Sequence, residues 1–148
     1  KISEKDNDHA STEFSASTFL FGGEESGLSC PDNLAFDSKG NLWISTDISG
    51  SAMGKAPYKS FGNNGIFVVE VSGVNAGIPI QIASAPKDAE FTGLCFDPEE
   101  KNLFVSVQHP GEKSKDLNSL TSHWPTGKIP KPSVIAIHGE LLNKITKA

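Results

Sequence analysis

The stretch Cys30–Asp47, CPDNLAFDSKGNLWISTD, determines how the chain is interpreted, because a similar stretch returns at Glu90–Gln108 as EFTGLCFDPEEKNLFVSVQ. In each copy large apolar residues alternate with small ones, as at Leu34 and Phe36, which is typical of a strand with one buried side. A turn over residues 38–41 then returns the chain as an antiparallel partner. The pattern predicts a β-hairpin that is used twice.

Further strands extend each hairpin. The segments Gly65–Val71 and Pro132–His138 each predict a third strand, and Ile78–Ala85 predicts a fourth strand in the first copy. A four-stranded antiparallel meander that repeats in this way is typical of a propeller blade. We therefore predict an all-β fold of consecutive four-stranded antiparallel blades, at residues 28–86 and 88–138, within a partial β-propeller domain at residues 14–148.

Two blades are too few for a ring, since a propeller closes with about four to eight. We expect the chain to be part of a larger protein, whose N-terminal remainder supplies the other blades of a six-bladed ring. Residues 1–13 are polar and predict a disordered lead-in or linker. Residues 14–21 suit a strand, either the edge of a preceding blade or the missing fourth strand of the second copy, and residues 140–148 suit a short helix.

Composition excludes several classes of function. The formal net charge is −5, with no basic stripe, so nucleic acid is not an expected partner. No apolar run is long enough for a signal peptide or a membrane span. The two cysteines lack zinc-ligand spacing. Cys95 takes the place of Ala35 in the repeat and is predicted to be a small buried residue, while a disulfide between Cys30 and Cys95 is left open.

Carboxylates at strand ends are the main candidates for chemistry. Asp32 precedes the first inner strand, Asp47 follows the second strand, and Glu90 precedes the inner strand of the second copy. Oxygen ligands without nitrogen-rich partners favour a hard cation such as calcium over zinc. For Asp32, a structural role in a turn with Asn33 that caps the strand is as good an interpretation as a role in metal binding. Glu90 is the strongest metal candidate, because a buried carboxylate needs a cation or hydrogen-bond donors.

Other polar residues carry weaker signals. His109 is a candidate substrate contact, although an exposed loop histidine is the commoner situation. Trp124 is expected to anchor its loop to the sheet rather than to cover a ligand. Asp37 and Asp97 occupy the hairpin turns and are assigned to turn structure. The two long loops, residues 48–64 and 109–131, leave the sheets at the same position and should project from one face to serve a site or a partner.

Three segments together resemble the PhoX-type bacterial alkaline phosphatases: CPDNLAFDSKGNLWISTD, EFTGLCFDPEEKNLFVSVQHPGE and SHWPTGKIPKPSVIAI. The resemblance runs from about residue 29 to residue 137, and its most specific word is QHPGE, which contains His109. Family members have a PDN-L-FD pattern followed by LW and TD, then a TG and QHPGE segment, then WP and a PxPS segment. Lys131 stands where the family often has Arg, which would weaken a bidentate phosphate contact.

The resemblance implies a six-bladed propeller, exported to the periplasm or cell surface, that hydrolyses phosphate monoesters with calcium and iron. This chain is similar to the C-terminal part of such a protein, and neither cysteine can be equated with the iron-binding cysteine of the family. The chain alone is therefore expected to be inactive. Two alternatives stay open at this point: a noncatalytic propeller that binds a partner through its long loops, and a lactonase-type calcium propeller.

Overall fold

Antiparallel sheets and a short C-terminal helix make up the fold in the computed structural model, which describes residues 1–146. The elements are β1 (Ile2–Glu4), β2 (Phe14–Ala16), β3 (Pro31–Phe36), β4 (Leu42–Thr46), β5 (Gly65–Val69), β6 (Pro79–Ser84), β7 (Glu90–Phe96), β8 (Asn102–Gln108), β9 (Ser133–His138) and α1 (Glu140–Thr146). No helix within residues 1–146 has the length and apolar character needed to cross a membrane. The last two residues of the expected helix at residues 140–148 lie outside the described chain.

Two meanders form the body of the protein, as the repeat predicts. The first sheet has the order β3-β4-β5-β6 and the second has the order β7-β8-β9, with every neighbouring pair antiparallel. Both inner strands carry a bulge at the same place in the repeat, between Pro31 and Leu34 and between Thr92 and Cys95. Within residues 1–146 the second meander has three strands and neither sheet closes on itself, so the propeller stays a prediction.

The N-terminal residues form a small hairpin of their own. Strand β1 pairs with β2, with Ile2 opposite Ala16, and Lys5 Nζ lies 2.9 Å from Glu13 Oε2. Strand β1 therefore lies within the segment for which we predicted disorder. Within residues 1–146, β2 pairs with β1 and with no strand of the second sheet, so it does not supply the fourth strand of the second copy there. The other alternative for residues 14–21, the edge of a preceding blade, stays a prediction.

The two meanders pack face to face, and each sheet has an A face and a B face. The A face is Ala35, Trp43, Ser45, Ile66 and Val68 in the first sheet, and the repeat-equivalent Cys95, Phe104, Ser106, Val134 and Ala136 in the second. The B face is Leu34, Phe36, Leu42, Ile44, Phe67 and Val69 in the first sheet, and Leu94, Phe96, Leu103, Val105, Ile135 and Ile137 in the second. The A face of the first sheet packs on the B face of the second, and this contact forms the main core. At its centre the rings of Trp43 and Phe96 meet edge to face, with centroids 5.1 Å apart.

Two expectations about burial are wrong. Leu34 and Phe36 were predicted to face a core, but their side chains are 61% and 64% exposed, because the described residues leave the part of the B face over β3 uncovered. Cys95 was predicted to be buried and is exposed, because it lies on the open A face of the second sheet. Both cysteines are free thiols.

Polar contacts tie the two sheets at both ends of the β3–β7 contact. At one end, Asn33 Oδ1 accepts a hydrogen bond from the Gly93 backbone N–H at 2.7 Å and another from the Thr92 hydroxyl. At the other end, the Glu100 carboxylate accepts from the Ser38 backbone N–H at 2.6 Å and from its hydroxyl at 2.7 Å. These ties hold the sheets in one register.

Candidate functional site

The candidate site lies at the sheet edge where β7 begins and β8 ends. Glu90 is paired with Gln108 across the two strands, so the next residue, His109, comes beside the Glu90 side chain. His109 Nε2 lies 3.3 Å from Glu90 Oε1, and the Glu90 residue is only 5% exposed. The antiparallel pairing thus brings the predicted metal ligand and the predicted substrate contact together.

The loop after β8 is fixed in place by its backbone. His109 adopts a left-handed φ of 36°, and the Gly111 N–H donates to the Lys87 carbonyl at 3.1 Å. Gly111 itself has a φ of 74°, and a Cβ there would lie 3.1 Å from Pro130 and 3.2 Å from Ser122. Any other residue at 111 would therefore be strained by this φ, and its Cβ would press on Pro130 and Ser122.

A buried asparagine, Asn64, supports the same edge from the first sheet. Its Oδ1 accepts a hydrogen bond from the Ile48 N–H at 2.6 Å. Its Nδ2 donates to the carbonyls of Ile48 and Ala89, at 3.2 Å and 3.3 Å. Because Ala89 precedes Glu90, Asn64 links the end of the first sheet to the position of the candidate ligand.

The environment of Glu90 raises the pKa of its carboxyl group. Burial is the largest cause, followed by the neighbouring carboxyl group of Asp47, and His109 acts in the opposite direction. Asp47 is exposed, and its N–H donates to the Cys30 carbonyl at 2.9 Å. The carboxyl group of Asp47 thus belongs to the electrostatic environment of Glu90.

Several buried polar atoms around Glu90 have no hydrogen-bond partner within the described residues. They are Glu90 Oε2, Asp88 Oδ2 and His109 Nδ1. Such atoms are costly to bury unless a cation, a donor or water reaches them. The cluster fits a contribution to a metal centre, but residues 1–146 contain no group of three or more His, Cys, Asp or Glu side chains arranged to hold a metal ion.

Two residues at this edge were missed by the sequence reasoning. Asp88 is 7% exposed and lies 4.0 Å from Lys113 Nζ, and Glu112 Oε2 lies 3.9 Å from His109 Nδ1. Their signals were available: Asp88 is two residues before Glu90, and Glu112 belongs to the QHPGE word. Neither signal stood out, because charged residues next to a strand are usually solvated.

Asp32 is placed differently from the other predicted ligands. Its exposed side chain accepts a hydrogen bond from Asn33 Nδ2 at 2.8 Å, and it is not among the groups that act on Glu90. Its role as a metal ligand stays a prediction.

The two long loops lie side by side next to the site. Residues 49–51 and Lys55 of the first loop share a surface depression with Glu112 and Lys113 of the second. Trp124 is half-buried against the main core, which confirms that it anchors its loop. His123 is exposed, with its Nδ1 3.1 Å from the Lys128 carbonyl oxygen.

Comparison with known proteins identifies the family. The model of the family described as "Alkaline phosphatase PhoX" matches residues 1–111, which is most of the chain. The chain belongs to the PhoX alkaline phosphatase family. The resemblance inferred from the repeated hairpin and the QHPGE word is thereby confirmed. None of the curated proteins matches the chain.

A solved PhoX structure is similar to this chain. It is the Pseudomonas fluorescens PhoX in complex with vanadate, a transition state analogue, with 34% sequence identity and a TM-score of 0.59. The match covers 76% of this chain and 18% of the Pseudomonas chain. This chain therefore spans less than a fifth of the length of that PhoX protein.

Proposed function

We propose that this chain is a C-terminal segment of an exported, calcium- and iron-dependent phosphatase that hydrolyses phosphate monoesters. The family membership supports a phosphatase. The Pseudomonas PhoX complex supports phosphoryl transfer, because the vanadate in it is a transition state analogue. In this proposal other parts of the intact protein complete a β-propeller and supply the remaining ligands, and the protein acts in the periplasm or at the cell surface.

The observation that carries the proposal is the buried carboxylate of Glu90 at the sheet edge. Its Oε2 receives no hydrogen bond from a donor in residues 1–146, while Asp47 adds a second negative charge nearby. Two adjacent carboxylates are stabilised by a hard cation, which removes their repulsion and supplies the missing partner. Glu90 and Asp47 would hold the ion, and Asp32 would support the same ion or an adjacent one.

His109 is the proposed substrate contact. Its ring lies between the carboxylates of Glu90 and Glu112, at 3.3 Å and 3.9 Å, and its side chain is 36% exposed. A ring N–H of the His109 imidazole can donate a hydrogen bond to a phosphate oxygen. A bound metal ion would polarise the phosphoryl oxygens and neutralise the charge that develops on the transferred group.

The test uses the intact enzyme and the substitution Glu90→Gln. Gln keeps the size of the side chain but removes its charge and its strongest ligand atoms, so we expect hydrolysis of p-nitrophenyl phosphate to be abolished. Isothermal titration calorimetry should show weaker calcium binding, and circular dichroism should show an unchanged fold.

The matched control is Glu25→Gln, which alters an exposed carboxylate of the loop before β3. It should leave both hydrolysis and calcium binding unchanged. Turnover that persists in strong chelator would refute the metal dependence. A Glu90→Gln enzyme that unfolds would show that Glu90 has a structural role instead.

A further inference from the structure

One buried amide holds the chain on both sides of Asp47. Asn64 is 2% exposed and lies at the end of the first long loop, directly before β5. Its Oδ1 accepts a hydrogen bond from the Ile48 N–H at 2.6 Å, and its Nδ2 donates to the Ile48 carbonyl at 3.2 Å. The Thr46 hydroxyl donates more weakly to the same Oδ1, at 3.5 Å. Because these two residues flank Asp47 in the sequence, the amide restrains the position of that carboxylate.

The same amide also holds the residue before Glu90. The Nδ2 of Asn64 donates to the carbonyl of Ala89 at 3.3 Å, and Ala89 is buried. The backbone carbonyl of Asn64 in turn accepts from the Ala85 N–H at 2.9 Å, so the side chain extends from a fixed point. One side chain therefore connects the neighbours of two candidate ligands that belong to different sheets.

These contacts use the whole hydrogen-bonding capacity of the Asn64 side chain. Its two amide N–H groups donate to two carbonyls, and its oxygen accepts from one N–H and one hydroxyl. No atom of the amide is left for a metal ion or a substrate, so Asn64 can act on the site only through the residues that it holds. A buried polar group whose partners are all present favours one arrangement of those partners.

The second sheet ends the equivalent pair of strands without such an amide. The position of Thr46 is taken by Val107, which is paired with Ser133 in the ladder between β8 and β9. The position of Asn64 is taken by Pro132, which has neither a side-chain donor nor a backbone N–H. The repeated strands can therefore end without these polar contacts, which occur in the sheet that carries Asp47.

We propose that Asn64 is a positioning residue that fixes the spacing of the Asp47 and Glu90 carboxylates, and thereby the preference of the metal centre for calcium over a smaller divalent cation. The inference rests on the proposed function, in which these two carboxylates hold the ion. Calcium accepts ligands at about 2.3–2.6 Å in flexible geometry, whereas magnesium needs about 2.0–2.1 Å and a near-ideal octahedron. A rigid connection between two ligands favours the larger ion, because the carboxylates cannot close in on the smaller one.

The test uses the intact enzyme with its metal removed and the substitution Asn64→Ala. Isothermal titration calorimetry with calcium chloride should show an affinity about ten- to a hundredfold lower, as is usual when a residue that orients metal ligands is lost. The ratio of calcium affinity to magnesium affinity should also fall, because the released carboxylates can adapt to the smaller ion. Hydrogen exchange followed by mass spectrometry should show faster exchange of the Ile48 amide, which loses its acceptor.

The matched control is Asn63→Ala, at the neighbouring asparagine of the same loop. The Nδ2 of Asn63 donates to the Ala85 carbonyl at 2.6 Å and lies 3.4 Å from the Ser84 hydroxyl, away from the residues beside the two carboxylates. Its loss should lower stability to urea but leave the ratio of the two affinities unchanged. If Asn64→Ala lowers stability and also leaves that ratio unchanged, the role of Asn64 is structural only and the inference is overturned.

A second variant, Thr46→Val, serves if Asn64→Ala loses its fold by circular dichroism. It keeps the size of the side chain, introduces the residue that the second sheet has at this position, and should shift the same ratio by a smaller factor. Glu90→Gln separates the two proposals. Calcium binding that Glu90→Gln weakens but that neither Asn64→Ala nor Thr46→Val alters would overturn the inference alone. Calcium binding that Glu90→Gln leaves unchanged would overturn the proposed function and the inference with it.

Discussion

The two meanders share one backbone plan but differ at the edge that carries the candidate site. In the second sheet this edge has Glu90 and His109, and the repeat-equivalent positions of the first sheet hold Cys30 and Ile48. Ile48 is buried and Cys30 is half-buried, so this edge of the first sheet lacks the ionisable pair. The repeat therefore provides the same backbone in both sheets, and the residues at the strand ends decide which sheet carries the ionisable pair.

The hairpin turns differ in a related way. Asp37 accepts hydrogen bonds from the backbone N–H groups of Lys39 and Asn41, from the Asn41 side chain, and from Trp43 Nε1 at 2.9 Å. Asp97 accepts equivalent hydrogen bonds from Lys101 and Asn102 but none from an indole, because Phe104 takes the place of Trp43. The Asp37 carboxylate thus binds a core side chain, whereas the Asp97 carboxylate accepts hydrogen bonds from Lys101 and Asn102 of its own turn.

The largest expected effect comes from breaking the buried turn with Asp37→Ala. The substitution leaves Trp43 Nε1 and the Asn41 side chain without their buried acceptor, which should lower the free energy of unfolding by about 3 kcal/mol. Urea unfolding followed by circular dichroism measures the loss. Asp97→Ala is the matched control and should cost clearly less. Equal losses at the two turns would contradict the difference between them.

A smaller effect is expected when the first sheet is made to resemble the second with Trp43→Phe. The change removes the indole N–H and leaves unfilled volume at a fully buried position, so we expect a loss of about 2 kcal/mol. A double-mutant cycle with Asp37→Ala isolates the indole–carboxylate contact. The two losses should sum to more than the loss in the double variant. Strict additivity would show that the contact contributes nothing.

The smallest effect concerns the pH dependence of the exposed turn. Hydrogen bonds from the Asn102 backbone and side chain, and from the Lys101 backbone, hold the pKa of Asp97 below its ordinary value of 3.8. Because the folded state binds this proton less tightly than the unfolded state does, the stabilisation is complete above pH 3.8. The stabilisation is lost as the pH falls through the pKa of Asp97 in the folded state, which lies below 3.8.

The difference in stability between wild type and Asp97→Asn should therefore be greatest near neutral pH and should disappear in acid. Urea unfolding at a series of pH values measures it. A difference that is independent of pH would mean that the amide replaces the carboxylate in all its contacts.

The sequence was sufficient to predict the hairpins, the third strands and the fourth strand of the first copy, because alternation and turn residues are local signals. It did not predict which face of each sheet is open. Leu34 and Leu94 are equivalent in the repeat, yet only Leu94 is covered, because coverage depends on which sheet lies next to it. The pairing of β1 with β2 was also missed, since Ile2 and Phe14 give too short a pattern to indicate a strand.

The site was predictable only in part for a similar reason. Glu90 and His109 were singled out from their places at strand ends, and antiparallel pairing brings such ends together. The supporting contacts of Asn64 and Asp88 depend on residues from the other sheet or the distant loop. Contacts of that kind have no periodic signature in the sequence.

The hydrogen bonds of Asn33 and Glu100 also set the angle at which the second sheet follows the first. Two anchor points at opposite ends of one contact leave little freedom for one sheet to pivot on the other, whereas an apolar surface alone would allow some sliding. In any assembly that repeats the same A-on-B step, an angular error at one joint is carried into every later joint. The amide of Asn33 and the carboxylate of Glu100 thus fix the angle between neighbouring sheets. That angle determines whether a series of such sheets closes into a ring or continues as an open helix.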